Sequence, residues 1–311
     1  MRGHGTNCSL ESPRVPWKET INGALTRATG YQLQRAGTAA ATPKQSPRRA
    51  RVGELRPGDR LVEAPVFVIC TLRSGSTLLR VLLDSHSQIR SPHELHLRYV
   101  SVHFDQKWSE RSMAELGLDT KGAEYLLWDR LLQRELAASG KRVIADKTPN
   151  NVFIVDRLRE CWPDARFIYL LRHPAAIARS RQSVRGEHAD DDEKNADLIR
   201  RYCEALEQAR QSYPGHTVRY EDLTAEPERE TRAICDFLGL EWEPGMLEYG
   251  NFDHGRYKAG LGDWADKIKT GQIQPPEPPP APEDIPPALR EMTEKWGYLP
   301  APAEVPLDRS A

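Results

Sequence analysis

The sequence predicts an α/β protein of three layers, in which helices cover both faces of a mostly parallel central sheet. Short apolar runs typical of buried strands alternate with longer amphipathic segments typical of helices. Parallel strands need helical crossovers and bury both faces of their sheet, so they are almost continuously apolar. A length of 311 residues fits one large domain of this kind with extensions.

Strands and helices alternate along most of the chain. We predict strands at Val66–Cys70, Arg142–Ala145, Arg166–Leu171 and His216–Tyr220. We predict helices near Ser76–Ser85, Asn151–Cys161, Ala175–Gln182, Ala196–Gln211, Pro227–Leu238, which is entered through Thr224, and Ala288–Trp296. Sheets of this kind bind ligands at the carboxyl ends of their strands, so the segments that follow each strand are where functional residues are expected.

Three regions are predicted along the chain. Residues 1–60 form an N-terminal extension with one helix, Ile21–Ala36, followed by a basic, Pro-containing linker. Residues 61–300 form the main domain, including a Pro-rich spacer at 275–287 and the terminal helix. Residues 301–311 form a tail. The basic linker residues are expected to be solvated charge and not a nucleic-acid arm.

Composition narrows the partners and the compartment. The formal net charge is −1, so no overall field attracts nucleic acid. No apolar run approaches the length of a membrane span, and the N-terminus has no secretory-signal pattern. The five cysteines are scattered without a CxxC pair, which favours a reducing cytoplasm. The sequence does not indicate an oligomeric state.

The turn TLRSGST joins the first strand to the first helix. Such a turn exposes unpaired backbone N–H groups at the positive end of the helix dipole. Gly75 allows close backbone approach, and the hydroxyls of Ser74, Ser76 and Thr77 add donors, which together predict a phosphate or sulfate site. The alternative is a tight turn whose serines only cap the helix.

This turn is not a nucleotide-triphosphate loop of the GxxxxGK[ST] type. Arg73 precedes the glycine, and no lysine follows it to reach β- and γ-phosphates. Asp146 and Asp222 are the nearest candidates for a metal-holding carboxylate, and each belongs to a different motif. A donor with fewer phosphates and no obligatory metal therefore suits the turn better than ATP.

Further cationic and glycine-rich segments lie downstream. Arg172 ends a strand and Ser180 follows eight residues later, so the two side chains can hold one phosphate from two sides. The alternative for Arg172 is a surface ion pair. The segment GRYKAGLGDW adds Lys258, Gly260 and Gly262, which suit close approach of an anion to the backbone.

Acid and base candidates follow the first helix and the second strand. Glu94 lies in SPHELH and Lys147 in ADKTP, just past a strand end. A salt bridge from Lys147 to Asp146 or to another acid is the alternative for that lysine. HELH is not the zinc pattern HExxH and no second cluster completes a metal site, so zinc is disfavoured.

TLRSGSTLLR resembles the 5′-phosphosulfate loop of sulfotransferases that use 3′-phosphoadenosine 5′-phosphosulfate (PAPS). The resemblance implies a P-loop-like fold in which residues Arg73, Ser74, Gly75, Ser76, Thr77 and Leu78 hold the 5′-phosphate and sulfuryl group. The sequence is also similar to the family's 3′-phosphate motif at Arg172 and Ser180. At Tyr220 it resembles the tyrosine that lies near the adenine edge in this family. The segment with Lys258, Gly260 and Gly262 resembles the family's closing loop, with spacing one residue short.

The resemblance also implies catalytic roles. Glu94 matches the catalytic glutamate of tyrosylprotein sulfotransferases and some bacterial small-molecule enzymes. Lys147 matches the lysine that stabilises the leaving oxygen in the tyrosylprotein enzymes. Together with Arg73, it is expected to stabilise the charge on the departing phosphate. His86, His93 and His96 remain alternatives as the base, since cytosolic members use a histidine. No metal is implied.

The implied acceptor is a hydroxyl of a small molecule or of a group presented by a carrier protein, because SPHEL and DKTP also resemble polyketide-synthase sulfotransferase domains. The resemblance covers roughly Pro65 to Leu299 with four motifs in the family's order. Two other functions stay open: a small-molecule kinase using ATP and Mg²⁺, and a non-catalytic module that binds PAPS or another anion.

Overall fold

The computed structural model describes residues 55–299 apart from 57, 186–190, 256–265 and 276. Within them, five strands form one sheet in the order β2-β3-β1-β4-β5, and every neighbouring pair is parallel. The strands are β1 Val66–Cys70, β2 Ile89–Arg90, β3 Val143–Asp146, β4 Arg166–Leu171 and β5 Gly215–Arg219. The predicted α/β class is confirmed, and the described sheet is wholly parallel.

Helices connect the strands and cover the sheet. They are α1 Ser76–Asp84, α2 Lys107–Glu115, α3 Thr120–Ser139, α4 Val155–Cys161, α5 Pro174–Arg185, α6 Asp192–Ser212, α7 Tyr220–Ala225, α8 Pro227–Leu238 and α9 Pro287–Lys295. Short 3-10 turns occur at Leu97–Tyr99 and Pro149–Phe153, directly after the segments that carry Glu94 and Lys147. None of the helices among the described residues is long and apolar enough to cross a membrane.

The core has two parts, one on each face of the sheet. Alternate residues of β1 point to opposite faces, as a strand requires. Phe67 and Ile69 pack into one apolar cluster with Trp128 and Trp162, while Val68 and its alternating neighbours pack into the other cluster. All five residues of β1 are buried, which makes this strand the centre of the fold.

The register of β1 and β4 positions the anion turn. Cys70 pairs with Leu170, so the residues that follow each strand, including Arg172, emerge side by side. On the other side of β1, Phe67 pairs with Asp146, the last residue of β3, so Lys147 also emerges at this edge. The carboxyl ends of the three central strands therefore gather the predicted site residues at one edge of the sheet.

The entry to α8 differs from the sequence prediction. Thr224 does not cap this helix but lies inside α7, where its hydroxyl donates to the carbonyl oxygens of Tyr220 and Glu221, 3.0 Å from each. Glu226 precedes α8 and Pro227 is its first residue, a position at which proline lacks only an N–H that has no helical partner. The strand predicted to end at Tyr220 ends at Arg219.

Candidate active site

The turn after β1 is strongly curved and fixed by its own hydrogen bonds. Gly75 has φ of 84°, and Arg73 has φ of 60°. Ser74 is buried, and its hydroxyl donates to the carbonyl oxygen of Thr71 over 2.8 Å. Arg73 and His96 are the two non-glycine residues with positive φ in the described part of the chain, and both lie at the predicted site. Backbone strain of this kind is concentrated at functional sites.

Gly75 is required by a close approach as well as by its φ. A Cβ placed on Gly75 would lie 2.1 Å from Cδ2 of Tyr220, far inside van der Waals contact. The ring of Tyr220 therefore packs directly on the backbone of the turn. This contact joins β5 and α7 to the anion turn, so the two predicted donor-binding residues are neighbours in space.

Two arginines and one serine converge beside this turn. The guanidinium of Arg172 donates to the carbonyl oxygen of Arg73 over 2.7 Å, and it lies over the ring of Tyr220, 4.5 Å from the ring centre. Nε of Arg73 lies 3.4 Å from Oγ of Ser180 on α5. Arg73, Arg172, Ser180, Tyr220 and Gly75 thus form one cluster, although they come from four segments of the chain.

The cluster has an unbalanced positive charge. Burial lowers the pKa of Arg73, and the neighbouring charge of Arg172 lowers it further. Two guanidinium groups held this close, in a partly buried position, repel each other unless an anion lies between them. The remaining predicted loop residues, Ser76, Thr77 and Leu78, form the first turn of α1, whose N-terminus faces the same place.

Glu94 and Lys147 form a buried ion pair. Nζ of Lys147 lies 2.5 Å from Oε1 of Glu94, and the two side chains are 1% and 9% exposed. Oε2 of Glu94 lies 3.4 Å from Nε2 of His96. The alternative predicted for Lys147, a salt bridge to Asp146 or another acid, is met by Glu94 and not by Asp146. Buried charges are kept in proteins only with partners of this kind.

Asp146 organises the loops around that pair. Burial raises its pKa, while Asn151 and Thr148 oppose this by donating to its carboxyl oxygens over 2.7 and 3.0 Å. Thr148 in turn accepts a hydrogen bond from the backbone N–H of Leu95 over 3.0 Å. The segment after β3 and the segment carrying Glu94 are thereby fixed against each other, which explains why Glu94 meets Lys147.

Cys70, the last residue of β1, packs under the same pair. Burial raises the pKa of its thiol to about 11, although Lys147 and the hydroxyl of Ser76 act in the opposite direction. The thiol is therefore protonated at neutral pH and is not a nucleophile.

The three histidines offered as alternative bases occupy different places. His86 follows the C-terminal end of α1, away from the anion turn, and is fully buried. Its Nδ1 accepts from the N–H of Gln88 over 3.0 Å, so its Nε2 donates to the carbonyl oxygen of Glu241 over 2.8 Å. Both nitrogens serve the fold, and the prediction that His86 could be the base is wrong. His93 is exposed, whereas His96 contacts Glu94.

Some predicted residues cannot be placed. Lys258, Gly260 and Gly262 lie outside the described residues. Their positions as donor-binding residues stay predictions.

The sequence prediction missed the residues that support Arg172 from behind. The hydroxyl of Tyr298 donates to Oε2 of Glu221 over 2.7 Å, and Oε1 of Glu221 accepts from the backbone N–H of His173 over 3.1 Å. Tyr298 also packs against the His173 ring. Because Tyr298 lies 125 residues after His173 in the numbering, no local pattern reveals this contact.

No group of three or more histidine, cysteine, aspartate or glutamate residues with metal-ligand geometry occurs among the residues that the structure describes. The polar groups at the sheet edge are therefore the anion turn, the arginine cluster and the Glu94–Lys147 pair. An α/β fold with an anion-binding strand–helix turn, and with an acid–base pair at the next strand end, defines a class of proteins that transfer or bind anionic groups.

The chain belongs to the sulfotransferase family. The model of this family matches residues 65–244, which are more than half of the chain. The matched region includes β1, the anion turn, Glu94, Lys147 and Arg172. Tyr298 and α9 lie beyond the matched region.

Curated proteins of several organisms are similar to this chain, and several of them are named protein-tyrosine sulfotransferases. A protein-tyrosine sulfotransferase 1 of Danio rerio is 26% identical over 199 residues, covering 59% of this chain and 55% of its own length. The nodulation protein NoeE of Sinorhizobium fredii is 28% identical over 232 residues, covering 62% of this chain and 55% of its own. The chain thus spans about half the length of these relatives.

Two solved structures share the fold. The sulfotransferase domain of the curacin biosynthetic pathway is 23% identical with a TM-score of 0.52, covering 76% of this chain and 96% of that domain. The sulfotransferase domain of the Synechococcus olefin synthase is 22% identical with a TM-score of 0.57, covering 79% of this chain and 98% of that domain. The similarity includes most of the described α/β domain.

Proposed function

We propose that the protein transfers the sulfuryl group of PAPS to a hydroxyl of a small-molecule or carrier-bound acceptor. The observation that carries this proposal is the convergence of Arg73, Arg172, Ser180 and Tyr220 on the Gly75 turn. Family membership supports the type of reaction, and the geometry supports the donor.

The donor has two anionic ends, and the cluster offers a place for each. The backbone N–H groups of the turn and the start of α1 suit the 5′-phosphosulfate, because they combine donors with a helix dipole. Arg172 and Ser180 suit the 3′-phosphate, and the ring of Tyr220 offers a flat surface for the adenine. Filling the space between Arg73 and Arg172 with an anion would also relieve their mutual repulsion.

Glu94 and Lys147 are proposed as the acid–base and charge-stabilising residues. Glu94 is a nearly buried carboxyl group with one oxygen toward Lys147 and the other toward His96, and it is proposed to accept the proton of the acceptor hydroxyl. Lys147 and Arg73 are proposed to stabilise the charge that develops on the departing phosphate. PAPS supplies the activated sulfuryl group. Once Glu94 has gained a proton, it no longer neutralises Lys147. The lysine then interacts mainly with the departing phosphate of the donor.

The acceptor class is proposed from the solved structures of similar fold, and the compartment is proposed from the cysteines. The solved structures with this fold include domains of a polyketide-type pathway and of an olefin synthase, which supports a bacterial biosynthetic role and an acceptor on a carrier. Four cysteines, Cys70, Cys161, Cys203 and Cys235, are unpaired and buried, which is in keeping with a reducing cytoplasm.

A transfer assay with PAPS labelled in its sulfuryl group tests the proposal. The protein is offered phenols, sugars, nucleosides and short β-hydroxy acids, and labelled product is separated from donor. We expect transfer to at least one class with PAPS, and no phosphoryl transfer to the same panel with ATP and Mg²⁺. Glu94→Gln should lower kcat by about a hundredfold, as loss of a general base does. Transfer from ATP alone would overturn the assignment.

A further inference from the structure

Arg98 lies on the acceptor side of the proposed site. It belongs to the 3-10 turn Leu97–Tyr99, which begins one residue after the Glu94 contact His96. Its guanidinium lies over the ring of Phe153, 4.7 Å from the ring centre, and Phe153 ends the turn that follows Lys147. Arg98 therefore bridges the two segments that supply the proposed base and the proposed cation.

Two aromatic rings fix the position of this guanidinium. Besides Phe153, the ring of Tyr99 lies 5.8 Å away, and Tyr99 is 66% exposed. Tyr202 packs edge-on against Phe153 with 4.7 Å between ring centres, and its hydroxyl donates to Oδ1 of Asn150 over 2.6 Å. The two ring contacts hold the exposed guanidinium at a defined place, and its N–H groups can donate to an anion that binds there.

Most of the other ring-stacked arginines among the described residues have hydrogen-bond acceptors. An acid or a backbone carbonyl accepts from four of them, namely Arg157 (Glu124), Arg172 (Arg73), Arg219 (Trp296) and Arg232 (Glu228). For Arg98, no acid or carbonyl acceptor is found within the described ranges, and the same holds for Arg111, which stacks on Trp108 in the exposed helix α2. Arg98 thus combines a fixed geometry with an unused hydrogen-bonding edge.

The charges around Arg98 leave it a local positive site. The titratable groups of its own turn and of the facing segments are Glu94, His96, Tyr99, Lys147 and Tyr202. The Glu94 carboxylate is already neutralised by Lys147. Burial raises the pKa of Tyr202 to about 12, so that hydroxyl is neutral at working pH. Asp146, which precedes Lys147, already accepts from Asn151 and Thr148, and no acid among the described residues forms an ion pair with Arg98.

We propose that Arg98 binds an anionic group, a carboxylate or a phosphate, on the acceptor whose hydroxyl is directed to Glu94. This inference rests on the proposed function and specifies the substrate class of the same site. Glu94 is 8% exposed and Arg98 is on the surface, so the acceptor enters with its hydroxyl inward and its anionic group outward. An acceptor without the anionic group binds in the same place with lower affinity, because a charge-assisted hydrogen-bond pair is lost.

Matched acceptor pairs test this proposal. The pairs are 4-hydroxybenzoate and 4-hydroxybenzamide, 3-hydroxybutyrate and 3-hydroxybutyramide, and glycerol 3-phosphate and glycerol. The first two pairs test a carboxylate and the third a phosphate. Within at least one pair, kcat/KM for the anionic member should exceed that of the neutral one by about tenfold, the order expected for a charge-assisted pair at a surface. Arg98→Gln should bring that ratio close to one through KM and leave the KM for PAPS unchanged.

Two further variants separate this role from general packing. Arg98→Lys keeps the charge without the planar edge and should retain part of the preference. Arg111→Gln removes another ring-stacked arginine without an acceptor and should leave the ratio unchanged. An unchanged ratio in Arg98→Gln, or no preference for an anionic acceptor in the wild type, overturns the inference while the proposed function stands. Transfer to no member of any pair, by protein that binds 3′-phosphoadenosine 5′-phosphate, also overturns it. Failure to bind that nucleotide overturns the proposed function itself.

Discussion

Position 75 has two constraints, and glycine is the residue type that satisfies both. Its φ of 84° belongs to the left-handed region, and its missing Cβ leaves the space that the Tyr220 ring occupies. The first constraint affects stability alone, whereas the second affects the geometry of the proposed donor site. The two effects are separable because Gly140 has φ of 67° with nothing within 4 Å of its would-be Cβ.

Gly75→Ala should therefore weaken binding of 3′-phosphoadenosine 5′-phosphate by tenfold or more, because Tyr220 has to move from the turn. Gly140→Ala should cost a similar backbone strain of about 1 kcal/mol and leave nucleotide affinity unchanged. Calorimetric titration of both variants, with urea unfolding for stability, measures the two quantities. Equal affinities in the two variants would contradict the role given to the Gly75–Tyr220 contact.

Lys147 and Glu94 are coupled, so their variants differ in stability as well as in activity. Lys147→Met leaves the Glu94 carboxylate buried without its cation and should cost about 3–5 kcal/mol of folding free energy. If the variant stays folded, kcat should fall far more than donor affinity, because the lysine is proposed to act on the departing phosphate. Kinetics with PAPS and binding of 3′-phosphoadenosine 5′-phosphate give the comparison. Equal loss of both would argue for a positional role only.

Asp84 at the end of α1 gives a prediction for the pH dependence of stability. Burial works against its ionised form, yet the hydrogen bond with His254 over 2.8 Å, the N–H of Ser91 and the charge of Arg90 lower its pKa below the ordinary 3.8. A lowered pKa in the folded state means that the ionised carboxylate stabilises the fold above pH 4 and that this contribution is lost on further acidification.

Asp84→Asn should accordingly lower the free energy of unfolding by about 1–3 kcal/mol at pH 5. The difference from the wild type should shrink as the pH falls from 4 toward 3, because the carboxyl of the unfolded chain takes up its proton at a higher pH than the carboxyl of the folded protein. Urea unfolding at pH 5, 4 and 3 measures it. A difference that grows below pH 4 would show that the pKa of Asp84 is not lowered.

At the scale of elements, the C-terminal segment supports the donor site from outside the region matched by the family model. Tyr298, which follows α9, fixes Glu221, and Glu221 fixes the backbone of His173 beside Arg172. Trp296 adds a second attachment, since its Nε1 donates to Oε2 of Glu207 on α6 over 3.0 Å. The segment is therefore attached to the backbone next to Arg172, and we expect it to position that arginine.

Tyr298→Phe should weaken binding of 3′-phosphoadenosine 5′-phosphate by roughly threefold to tenfold, the effect of one buried hydrogen bond that positions Arg172. Tyr213→Phe is the control, because it removes a similar bond, 2.6 Å from the tyrosine hydroxyl to Asp156, on an exposed surface. Calorimetric titration distinguishes the two variants. Unchanged affinity in Tyr298→Phe, together with a loss of stability, would reduce Tyr298 to a structural role.

Elements differ in how far the sequence predicts them. The bounds of β1, β4 and α8 agree with the prediction, because each combines an apolar pattern with a clear start or end. β2 has two residues and forms only by pairing with β3, so it has no periodicity to detect. The predicted helices do not include α3, although Asp119 caps its start and Gly140 follows its end with φ of 67°. Both residues are ordinary helix signals.

The candidate site likewise has parts that the sequence predicts and parts that it does not. The turn at Gly75 and the residues at strand ends are local in sequence, so their spacing predicts them. The Glu94–Lys147 pair and the Tyr298–Glu221 contact join segments 53 and 77 residues apart, and they depend on how loops pack. The sequence placed Glu94 and Lys147 at the site separately, but only the packing around Asp146 and Thr148 makes them partners.

At the scale of the whole molecule, the fold brings the carboxyl ends of β1, β3 and β4 and the N-terminus of α1 to one edge of the sheet, where the donor is proposed to bind. Binding should therefore stabilise the entire domain. At a nucleotide concentration of 100 times Kd, linkage predicts about 2.7 kcal/mol of added stability. ATP with Mg²⁺ should give much less, because the turn has no lysine for a triphosphate chain.

The most direct test of the donor-site claim is calorimetric titration of the protein with 3′-phosphoadenosine 5′-phosphate, with Arg172→Gln and Arg232→Gln beside the wild type. Arg232 is a matched control, since it also stacks on a ring, that of Trp242 at 3.8 Å, but lies on the exposed face of α8. We predict binding by the wild type and Arg232→Gln with equal affinity, and at least tenfold weaker binding by Arg172→Gln. No heat of binding with the wild type, or equal affinity in all three proteins, would contradict the assignment of this site.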